Sequence, residues 1–340
     1  MTTHVLVAGG GPIGLAAAIE ARMAGFEATV VEPRAGVIDK ACGEGLMPGA
    51  PPALARLGVT PRGIALHGIR YRDARRTVTH RFRTGSALGV RRLELHGALR
   101  DRAAELGVRT IAARVEDVAQ DASGVTAAGI RADWLIAADG LHSTVAGLVG
   151  LDRGAPVARR RYGQRRHYDL APWADVIEVH WTPLGEIYVT PTAEHGVGLS
   201  LLARQGVRFE DALAAAPGLR DRVAGAAPLS ELRGAGPFRQ HRRARVAGRV
   251  LLVGDAAGYV DALTGEGIRI GLAQARVAIQ ALAADHPAAY ERAWRRVTRE
   301  FRMLTAPLAA LAASPAQPVI VPLARTAPFL FHAAVERIAR

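Results

Sequence analysis

Six residues near the start of the chain combine glycines at a spacing that suits the binding of a diphosphate. Residues 9–14 read Gly-Gly-Gly-Pro-Ile-Gly, directly after the short apolar run of residues 5–8. Strong helix formers follow, up to Gly25. Glycines at this spacing permit a tight turn, a close approach of the backbone to phosphate, and close packing of helix on strand. The pattern therefore predicts a strand, a phosphate-binding turn and a helix.

Glu32 ends the next apolar run, residues 28–31, and strengthens this prediction. An acid at the end of the second strand of such a unit accepts hydrogen bonds from a ribose and disfavours a 2′-phosphate. An ordinary glycine-rich turn would leave Glu32 unexplained. We therefore predict a site for NAD or FAD, and these residues alone leave open which of the two is bound.

The composition excludes several classes of protein. The 340 residues are 49% hydrophobic, with a net charge of +13. The positive charge is scattered arginine with short clusters, such as residues 159–161, and no nucleic-acid-binding motif accompanies it, so we expect no nucleic-acid partner. Attraction of an anionic substrate or of NAD(P)H phosphates is a milder consequence of the charge.

Cys42 is the sole cysteine, and the histidines are scattered without ligand spacing. We therefore expect no disulfide and no metal site. No uninterrupted apolar run of about 18 residues is present, so no integral membrane segment is expected. The first strand begins almost at Met1 and leaves no room for a signal peptide, which favours a cytoplasmic location.

Three separated motifs agree with one family. Residues 9–14 with Glu32, the run Ala-Asp-Gly-Leu-His-Ser at 138–143, and Gly-Asp-Ala-Ala-Gly at 254–258 resemble the FAD-dependent monooxygenases of the para-hydroxybenzoate hydroxylase fold. The runs Leu-Thr-Gly-Glu-Gly-Ile at 263–268 and Lys-Ala-Cys-Gly at 40–43 are similar to the geranylgeranyl reductase branch of that superfamily. The resemblance extends over residues 1 to about 285. It implies that FAD is the resident cofactor and NAD(P)H a co-substrate.

The resemblance also assigns residues to the FAD site, and each has an alternative structural role. Asp255 is suited to the ribityl hydroxyls or to a water on the diphosphate, or else to capping a helix. Arg92, which begins a helix predicted to run to Glu105, resembles the FAD-contacting arginine of the family, the alternative being a solvated side chain. The glycines near residue 265 place a helix N-terminus at the flavin's N1/O2 edge, which becomes negative on reduction. Ala146 stands where the hydroxylases usually have an arginine, which weakens any prediction of how NAD(P)H docks.

The complete predicted site follows from these arguments. Because the flavin carries the chemistry, no residue is assigned as catalytic. Cys42 is predicted to lie near the isoalloxazine, although an inert, packed thiol is the simpler interpretation. Aromatic side chains such as Trp173 and His180 on alternating strands are more often core than ligand. The cofactor residues are Gly9, Gly11, Pro12, Ile13, Gly14, Glu32, Pro33, Arg34, Cys42, Gly43, Arg92, Val115, Asp139, Gly140, Gly254, Asp255, Ala256, Gly265, Glu266, Gly267 and Ile268, and the candidate substrate residues are Trp181, Tyr188 and Tyr259.

The predicted fold class is α/β, with a Rossmann-like FAD-binding domain, an inserted β-rich substrate domain and a C-terminal helical region. The FAD-binding domain is discontinuous, over residues 1–62, 92–153 and 246–287. Short alternating runs assign residues 63–91 and 154–245 to the substrate sheet. Residues 288–340 are predicted to be helical, with Pro307, Pro315, Pro318, Pro322 and Pro328 as breaks or helix starts.

The leading functional hypothesis is an NAD(P)H-dependent monooxygenase. It would hydroxylate or epoxidise a small organic molecule, such as a secondary metabolite, with O2 through a flavin C4a-(hydro)peroxide. The alternative is a geranylgeranyl-reductase-like flavin enzyme that reduces or dehydrogenates a carbon–carbon bond. A halogenase is disfavoured because the Trp-x-Trp-x-Ile-Pro signature is missing. A non-catalytic interaction module is a further alternative, and the sequence leaves the oligomeric state open.

Overall fold

The structure, a computed structural model, describes residues 2–153 and 160–339. The basic residue Arg159 lies outside the described residues. The predicted domain boundary after residue 153 falls at the edge of the first described range. The helices are α1 (Pro12–Met23), α2 (Ala50–Arg56), α3 (Arg92–Glu105), α4 (Thr144–Leu148), α5 (Phe209–Ala214), α6 (Pro217–Val223), α7 (Gly267–Ala283), α8 (Ala289–Ala312), α9 (Ile320–Thr326) and α10 (Pro328–Ala339).

The strands alternate with these helices in the first part of the chain and dominate its middle. They are β1 (His4–Ala8), β2 (Glu27–Val31), β3 (Gly45–Leu46), β4 (Ile64–Leu66), β5 (Gly68–Arg72), β6 (Thr77–Arg81), β7 (Ala87–Gly89), β8 (Arg109–Ile111), β9 (Val118–Gln120), β10 (Val125–Ala127), β11 (Ile130–Ala132), β12 (Trp134–Ala137), β13 (Arg161–Tyr168), β14 (Ile177–Thr182), β15 (Gly185–Ala193), β16 (Gly196–Arg204), β17 (Arg233–Ala235), β18 (Val246–Ala247) and β19 (Val250–Leu252). Short 3-10 turns cover Gly254–Ala257 and Gln317–Val319.

The first sheet has the strand order β18-β19-β12-β1-β2-β8 among the described residues. All neighbours except the β18–β19 pair are parallel. Strands of this sheet read as continuous apolar runs because they are buried by α1 and α7 and by the three-stranded sheet β11-β10-β9, which share their core. The order places the first βα turn beside the end of β12, which is where open parallel sheets bind ligands.

The second sheet has the order β17-β13-β16-β15-β14-β5-β6. Its pairs are antiparallel apart from β5 and β14. Alternation separates its two faces, because successive side chains of a strand point to opposite sides. Ile187 and Val189 of β15 pack under α5 and α6, whereas Ile177 and Val179 of β14 pack towards the C-terminal helices.

The C-terminal helices lie against the second sheet. Ile320 and Val321 of α9 and Phe331, Val335 and Ile338 of α10 share one buried cluster with β14 side chains. Pro307 lies inside α8 without ending it, contrary to the prediction that it breaks the helix or begins one. Pro328 begins α10, where its missing N–H group needs no partner.

The predicted fold class is confirmed, with a parallel Rossmann-like sheet, a strand-rich insertion and C-terminal helices. The helix predicted from Arg92 to Glu105 has those bounds in the structure. Residues 63–91 divide between two sheets: β5 and β6 extend the large sheet, while β4 and β7 pair with β3 in a small one. The domain boundaries themselves stay a prediction.

Candidate active site

The carboxyl ends of four parallel strands bring the sequence motifs together. Strands β19, β12, β1 and β2 are consecutive neighbours in the first sheet, and all four end at the same edge. Gly9 follows β1, Glu32 follows β2, Asp139 lies two residues after β12, and Asp255 lies three residues after β19. All four of these residues line one cavity.

The glycines of the first turn differ in what surrounds them. Gly9 has a φ of +101°, and a Cβ there would lie 2.6 Å from the carbonyl oxygen of Ala138. A Cβ on Gly14 would collide with the carbonyl oxygen of Gly9, so Gly14 lets α1 pack closely on the turn. A Cβ on Gly11 would meet nothing within 4 Å. Gly11 thus borders open space at the N-terminus of α1, where exposed N–H groups and the helix dipole favour a phosphate.

Glu32 holds this turn and its own loop in place. Its carboxylate accepts hydrogen bonds from the Gly10 backbone N–H at 2.9 Å and from the Arg34 backbone N–H and Nε at 3.0 and 2.7 Å. Burial alone would raise the pKa of Glu32, but the hydrogen bonds from Arg34 and Gly10 outweigh it and hold the pKa below its usual value. The buried carboxylate is therefore ionised, as a ribose acceptor must be.

His96 supports the same turn from α3. Its Nδ1 accepts a hydrogen bond from the Ile38 N–H at 3.3 Å, and its Nε2 lies 2.8 Å from the Gly10 carbonyl oxygen. An accepting Nδ1 leaves the proton on Nε2, which donates to Gly10. Burial lowers the pKa of His96, which favours this neutral form. Arg92, one turn earlier on α3, lines the cavity.

Asp139 lines the cavity and also stabilises the start of α4. Its carboxylate accepts hydrogen bonds from the Ser143 hydroxyl at 2.6 Å and the Val145 N–H at 3.0 Å. It thereby satisfies the N-terminus of α4, and its burial raises its pKa. Ala146, where related hydroxylases have an arginine, is completely buried in α4.

The loop of residues 40–45 connects the edge of the first sheet, where its parallel strands end, to the second sheet. The Ser200 hydroxyl donates to the Cys42 carbonyl at 3.1 Å, and the Thr190 hydroxyl donates to the Gly43 carbonyl at 2.9 Å. Glu44 has a φ of +58° and contacts both His167 and the Arg92 N–H. These contacts hold Cys42 and Gly43 on the cavity wall.

The start of α7 forms another part of the cavity wall, next to Gly45. Gly265, Gly267 and Ile268 line the cavity, so the first N–H groups of this 17-residue helix lie beside it. Glu266 is oriented differently: its side chain pairs with Arg269, is buried, and does not line the cavity. Burial raises the pKa of Glu266. Any contact of Glu266 with a cofactor is therefore expected from its backbone.

The cavity has a volume of about 570 Å³ and joins two regions of different character. The dinucleotide end is lined by the glycine turn, Glu32 and Arg92. The other end, here called the chamber, lies between the second sheet and α10. Its walls are mostly aliphatic and aromatic, contributed by Ile69, Tyr71, Ile177, Val179, Tyr188, Leu202, Phe238, Leu263, Val335 and Ile338.

Most of the predicted site residues line this cavity. Those that do are Gly9, Gly11, Pro12, Ile13, Glu32, Pro33, Arg34, Cys42, Gly43, Arg92, Val115, Asp139, Gly140, Gly254, Asp255, Gly265, Gly267, Ile268, Tyr188 and Tyr259. Four do not: Gly14 is used in helix packing, Ala256 is completely buried, Glu266 pairs with Arg269, and Trp181 contacts Tyr71 edge-on with ring centroids 5.6 Å apart.

Sequence reasoning missed most of the chamber wall. Ile177 and Val179 carry the alternation of a strand, but that signal does not tell which of the two faces borders a cavity. Val335 and Ile338 stand at helical spacing in the last helix, far from the cofactor motifs in the chain. No local signal connects them to the site.

A buried ionic cluster supports the chamber from behind. Arg161 of β13 pairs with Glu186 of β15 and, at 3.2 Å, with Asp261. All three side chains are at least nine-tenths buried. The neighbouring Tyr188 hydroxyl donates to the Leu263 carbonyl at 2.7 Å. These contacts attach the segment before α7 to the second sheet.

Comparison with known families gives a match to the first part of the chain. Residues 2–164 match the FAD binding domain family. A curated relative, menaquinone reductase of Mycolicibacterium smegmatis, is 29% identical over an alignment of 345 positions that covers 87% of this chain and 80% of the relative.

Solved structures share the fold. The flavin-dependent halogenase CmlS superposes with a TM-score of 0.77 at 20% identity, over 90% of this chain; the chain spans only 62% of its length. p-Nitrophenol 4-monooxygenase from Pseudomonas putida gives 0.77 at 21% identity, over 98% of both chains. A geranylgeranyl bacteriochlorophyll reductase-like protein from Thermoplasma acidophilum gives 0.77 at 19%, over 95% of this chain and 91% of that one. The glycine turn, the ionised Glu32 and the open space at Gly11 fit FAD.

Proposed function

We propose that this chain, whose residues 2–164 match the FAD binding domain family and whose fold is shared with p-nitrophenol 4-monooxygenase, is an NAD(P)H-dependent monooxygenase of an apolar organic molecule. The observation that carries this proposal is the single cavity that joins the dinucleotide end to the apolar chamber. The reaction class, the reductant and the substrate class are all part of the proposal.

The residues of the dinucleotide end would hold the cofactor. The open space at Gly11 and the N-terminus of α1 suit the diphosphate, and Glu32 suits the adenosine ribose. Asp255 would accept hydrogen bonds from the ribityl chain, and the N-terminus of α7 would lie at the pyrimidine edge. Bound FAD supplies the redox chemistry, accepting hydride from NAD(P)H and, once reduced, activating O2.

The chamber would bind the substrate and exclude water. Its aliphatic walls gain free energy by covering apolar surface, which favours an apolar substrate over a charged one. The same walls keep bulk water from the reacting atoms, which an oxygen-activating site requires. Tyr188 is held by its bond to the Leu263 carbonyl and is therefore placed as a wall rather than as a proton donor.

The second candidate function is reduction of a carbon–carbon double bond. The 29% identity to menaquinone reductase over most of the chain favours it, as does the Lys-Ala-Cys-Gly loop at the cavity wall. An apolar chamber suits an isoprenoid substrate as well as an alkylated phenol. The two candidates differ in the need for O2 and in the atoms that the product gains.

The product mass separates the candidates. The purified FAD-loaded protein is mixed with NADPH or NADH and with either an alkylphenol or a menaquinone, in air and under anaerobic conditions. A monooxygenase adds one oxygen atom to the product and does so only in air. Gain of two hydrogens under anaerobic conditions that persists after air has re-oxidised any quinol to the quinone reports saturation of a carbon–carbon double bond, which contradicts the monooxygenase and supports the reductase. Oxidation of the nicotinamide without any mass change contradicts both for that substrate.

A further inference from the structure

The turn between α9 and α10 exposes large apolar side chains. We call Leu323, Arg325, Phe329 and Leu330 the C-terminal corner. Phe329 is 70% exposed, Leu330 56% and Leu323 54%. Phe329 is the exposed member of the seven phenylalanines, all of which lie in the described part of the chain. Such a concentration of exposed apolar surface is unusual unless it meets a partner.

The corner is an ordered structure. The Ala327 N–H donates to the Leu323 carbonyl at 2.9 Å, and the Leu330 N–H donates to the Ala327 carbonyl at 3.0 Å. The Thr326 hydroxyl caps the end of α9 by donating to the Pro322 carbonyl at 3.1 Å. The exposed side chains therefore project from a hydrogen-bonded helix–turn–helix.

Helix α10 connects the corner with the chamber. Phe331 points inward and packs on Tyr71 with ring centroids 5.0 Å apart, while Val335 and Ile338 line the chamber. Phe329 and Leu330 leave the same helix on its solvent side. The apolar corner and the apolar chamber therefore lie on opposite faces of α10.

Exposed arginines lie in the corner and beside α10. Arg325 is exposed within it, and the exposed Arg83 lies beside α10, because its backbone N–H donates to Glu336 at 2.8 Å. Residues 289–339 hold seven arginines and three glutamates, a surplus of four positive charges, within a chain of net charge +13. This charge disfavours pairing with a second copy of the chain and favours a negatively charged partner.

Within residues 2–153 and 160–339, no single helix is long and apolar enough to span a bilayer. Only α8 together with residues 317–326 reaches the required length and composition, and this pair is bent by 117°. An apolar edge flanked by arginine is typical of segments that insert into the interface of one leaflet.

We propose that the C-terminal corner docks on an anionic phospholipid bilayer, with Phe329 and Leu330 among the acyl chains and Arg325 at the phosphates. The partner is identified by its chemistry: an apolar interior behind a negative surface complements apolar side chains flanked by arginine. Docking would turn α10, and with it the chamber, towards the lipid. This interface does not depend on which reaction the site performs.

Vesicle flotation of the FAD-loaded protein tests the proposal. The vesicles are phosphatidylcholine alone or phosphatidylcholine mixed with phosphatidylglycerol. We expect binding to the mixed vesicles and weaker binding to the neutral ones. Phe329→Ser with Leu330→Ser should lower the partition coefficient at least about tenfold on both, because two apolar side chains are removed. Arg325→Gln should lower it about fivefold on the mixed vesicles alone.

The matched control is Leu229→Ser with Leu232→Ser, a second pair of exposed leucines outside the C-terminal region. This control should bind vesicles like the wild type. Because all four positions are exposed, flavin content and melting temperature should stay unchanged and report intact folding. Absence of wild-type binding, or equal binding by the Phe329/Leu330 variant, overturns the proposal. Conversion of a dimer to a monomer by that variant, with vesicle binding unaltered, assigns the corner to a second copy instead and also overturns it.

Discussion

At the scale of single residues, the glycines of the first turn have distinct physical roles. The collision of a Gly14 Cβ with the Gly9 carbonyl makes Gly14 a packing residue, although its place in the motif suggests a cofactor contact. Gly11 has an ordinary φ of −68° and no neighbour for a Cβ. Only a bound molecule would give Gly11 a reason to be glycine.

This contrast predicts different defects for two similar substitutions. Gly11→Ala should leave the melting temperature of the FAD-free protein unchanged but raise the Kd for FAD by tenfold or more, about 1.4 kcal/mol, because the methyl group occupies the phosphate space. Gly14→Ala should destabilise the FAD-free protein by about 1–3 kcal/mol, because the turn must shift. Thermal unfolding and flavin fluorescence titration measure the two effects. Normal FAD affinity in Gly11→Ala would contradict the placement of the diphosphate.

At the scale of elements, the buried cluster of Arg161, Glu186 and Asp261 connects two strands with the segment that leads into α7. The single positive charge of Arg161 pairs with two buried carboxyl groups, so it cannot neutralise both of them when both are ionised. Burial, together with the charge of Asp261, raises the pKa of Glu186 to about 7 against the opposing effect of Arg161. The folded protein therefore holds a proton here that the unfolded chain releases near its ordinary pKa of 4.5.

The raised pKa makes stability depend on pH in a defined direction. The stabilisation from protonated Glu186 is complete below about pH 4.5 and is lost as the pH rises through about 7. Wild-type protein should thus lose up to about 3 kcal/mol from this group between pH 5 and 8. Glu186→Gln, which carries a permanent amide, should show a flatter dependence in denaturant titrations across this range.

The matched control for this experiment is Glu178→Gln on β14. Burial raises the pKa of Glu178, but hydrogen bonds from His180 and Arg70 lower it further, to about 2. The stabilisation from Glu178 is present above pH 4.5 and is lost only as the pH falls towards 2. Glu178→Gln should therefore keep the wild-type slope between pH 5 and 8. Identical slopes for wild type and Glu186→Gln would show that Glu186 is ionised throughout.

At the scale of the whole molecule, the last helix closes the site that the first residues of the chain begin. Phe331 of α10 is 8% exposed and packs on Tyr71 of β5, whereas Phe329, two positions earlier, faces solvent. The two residues have the same side chain on the same helix. Substitutions at these two positions therefore test separately the face of α10 that packs in the core and the face that is exposed to solvent.

This pair predicts opposite results for the same substitution. Phe331→Ala should lower the free energy of unfolding by about 3–5 kcal/mol, because it removes a buried ring and enlarges the chamber. Phe329→Ala should change it by no more than about 0.5 kcal/mol. Urea denaturation of both FAD-loaded variants measures the difference. Equal stability of the two variants would show that α10 does not pack on the second sheet.

The sequence alone was enough to predict the fold class and most of the residues that line the dinucleotide end of the cavity, whose individual contacts with FAD stay a prediction. It could do so because these features are local: a turn, its glycines and a strand-end acid lie close together in the chain, and parallel strands gather such ends at one edge. The helix at Arg92–Glu105 followed in the same way from local composition.

The packing of the complete chain was needed to show which side chains form the chamber and which residues merely support it. Val179 and Trp181 lie on the same face of β14, but only Val179 borders the cavity, because Trp181 packs edge-on against Tyr71. Val335 and Ile338 reach the site from the last helix, and Gly14, Ala256 and Glu266 turn away from it within their own motifs. These outcomes depend on packing between distant segments, for which a local pattern carries no signal.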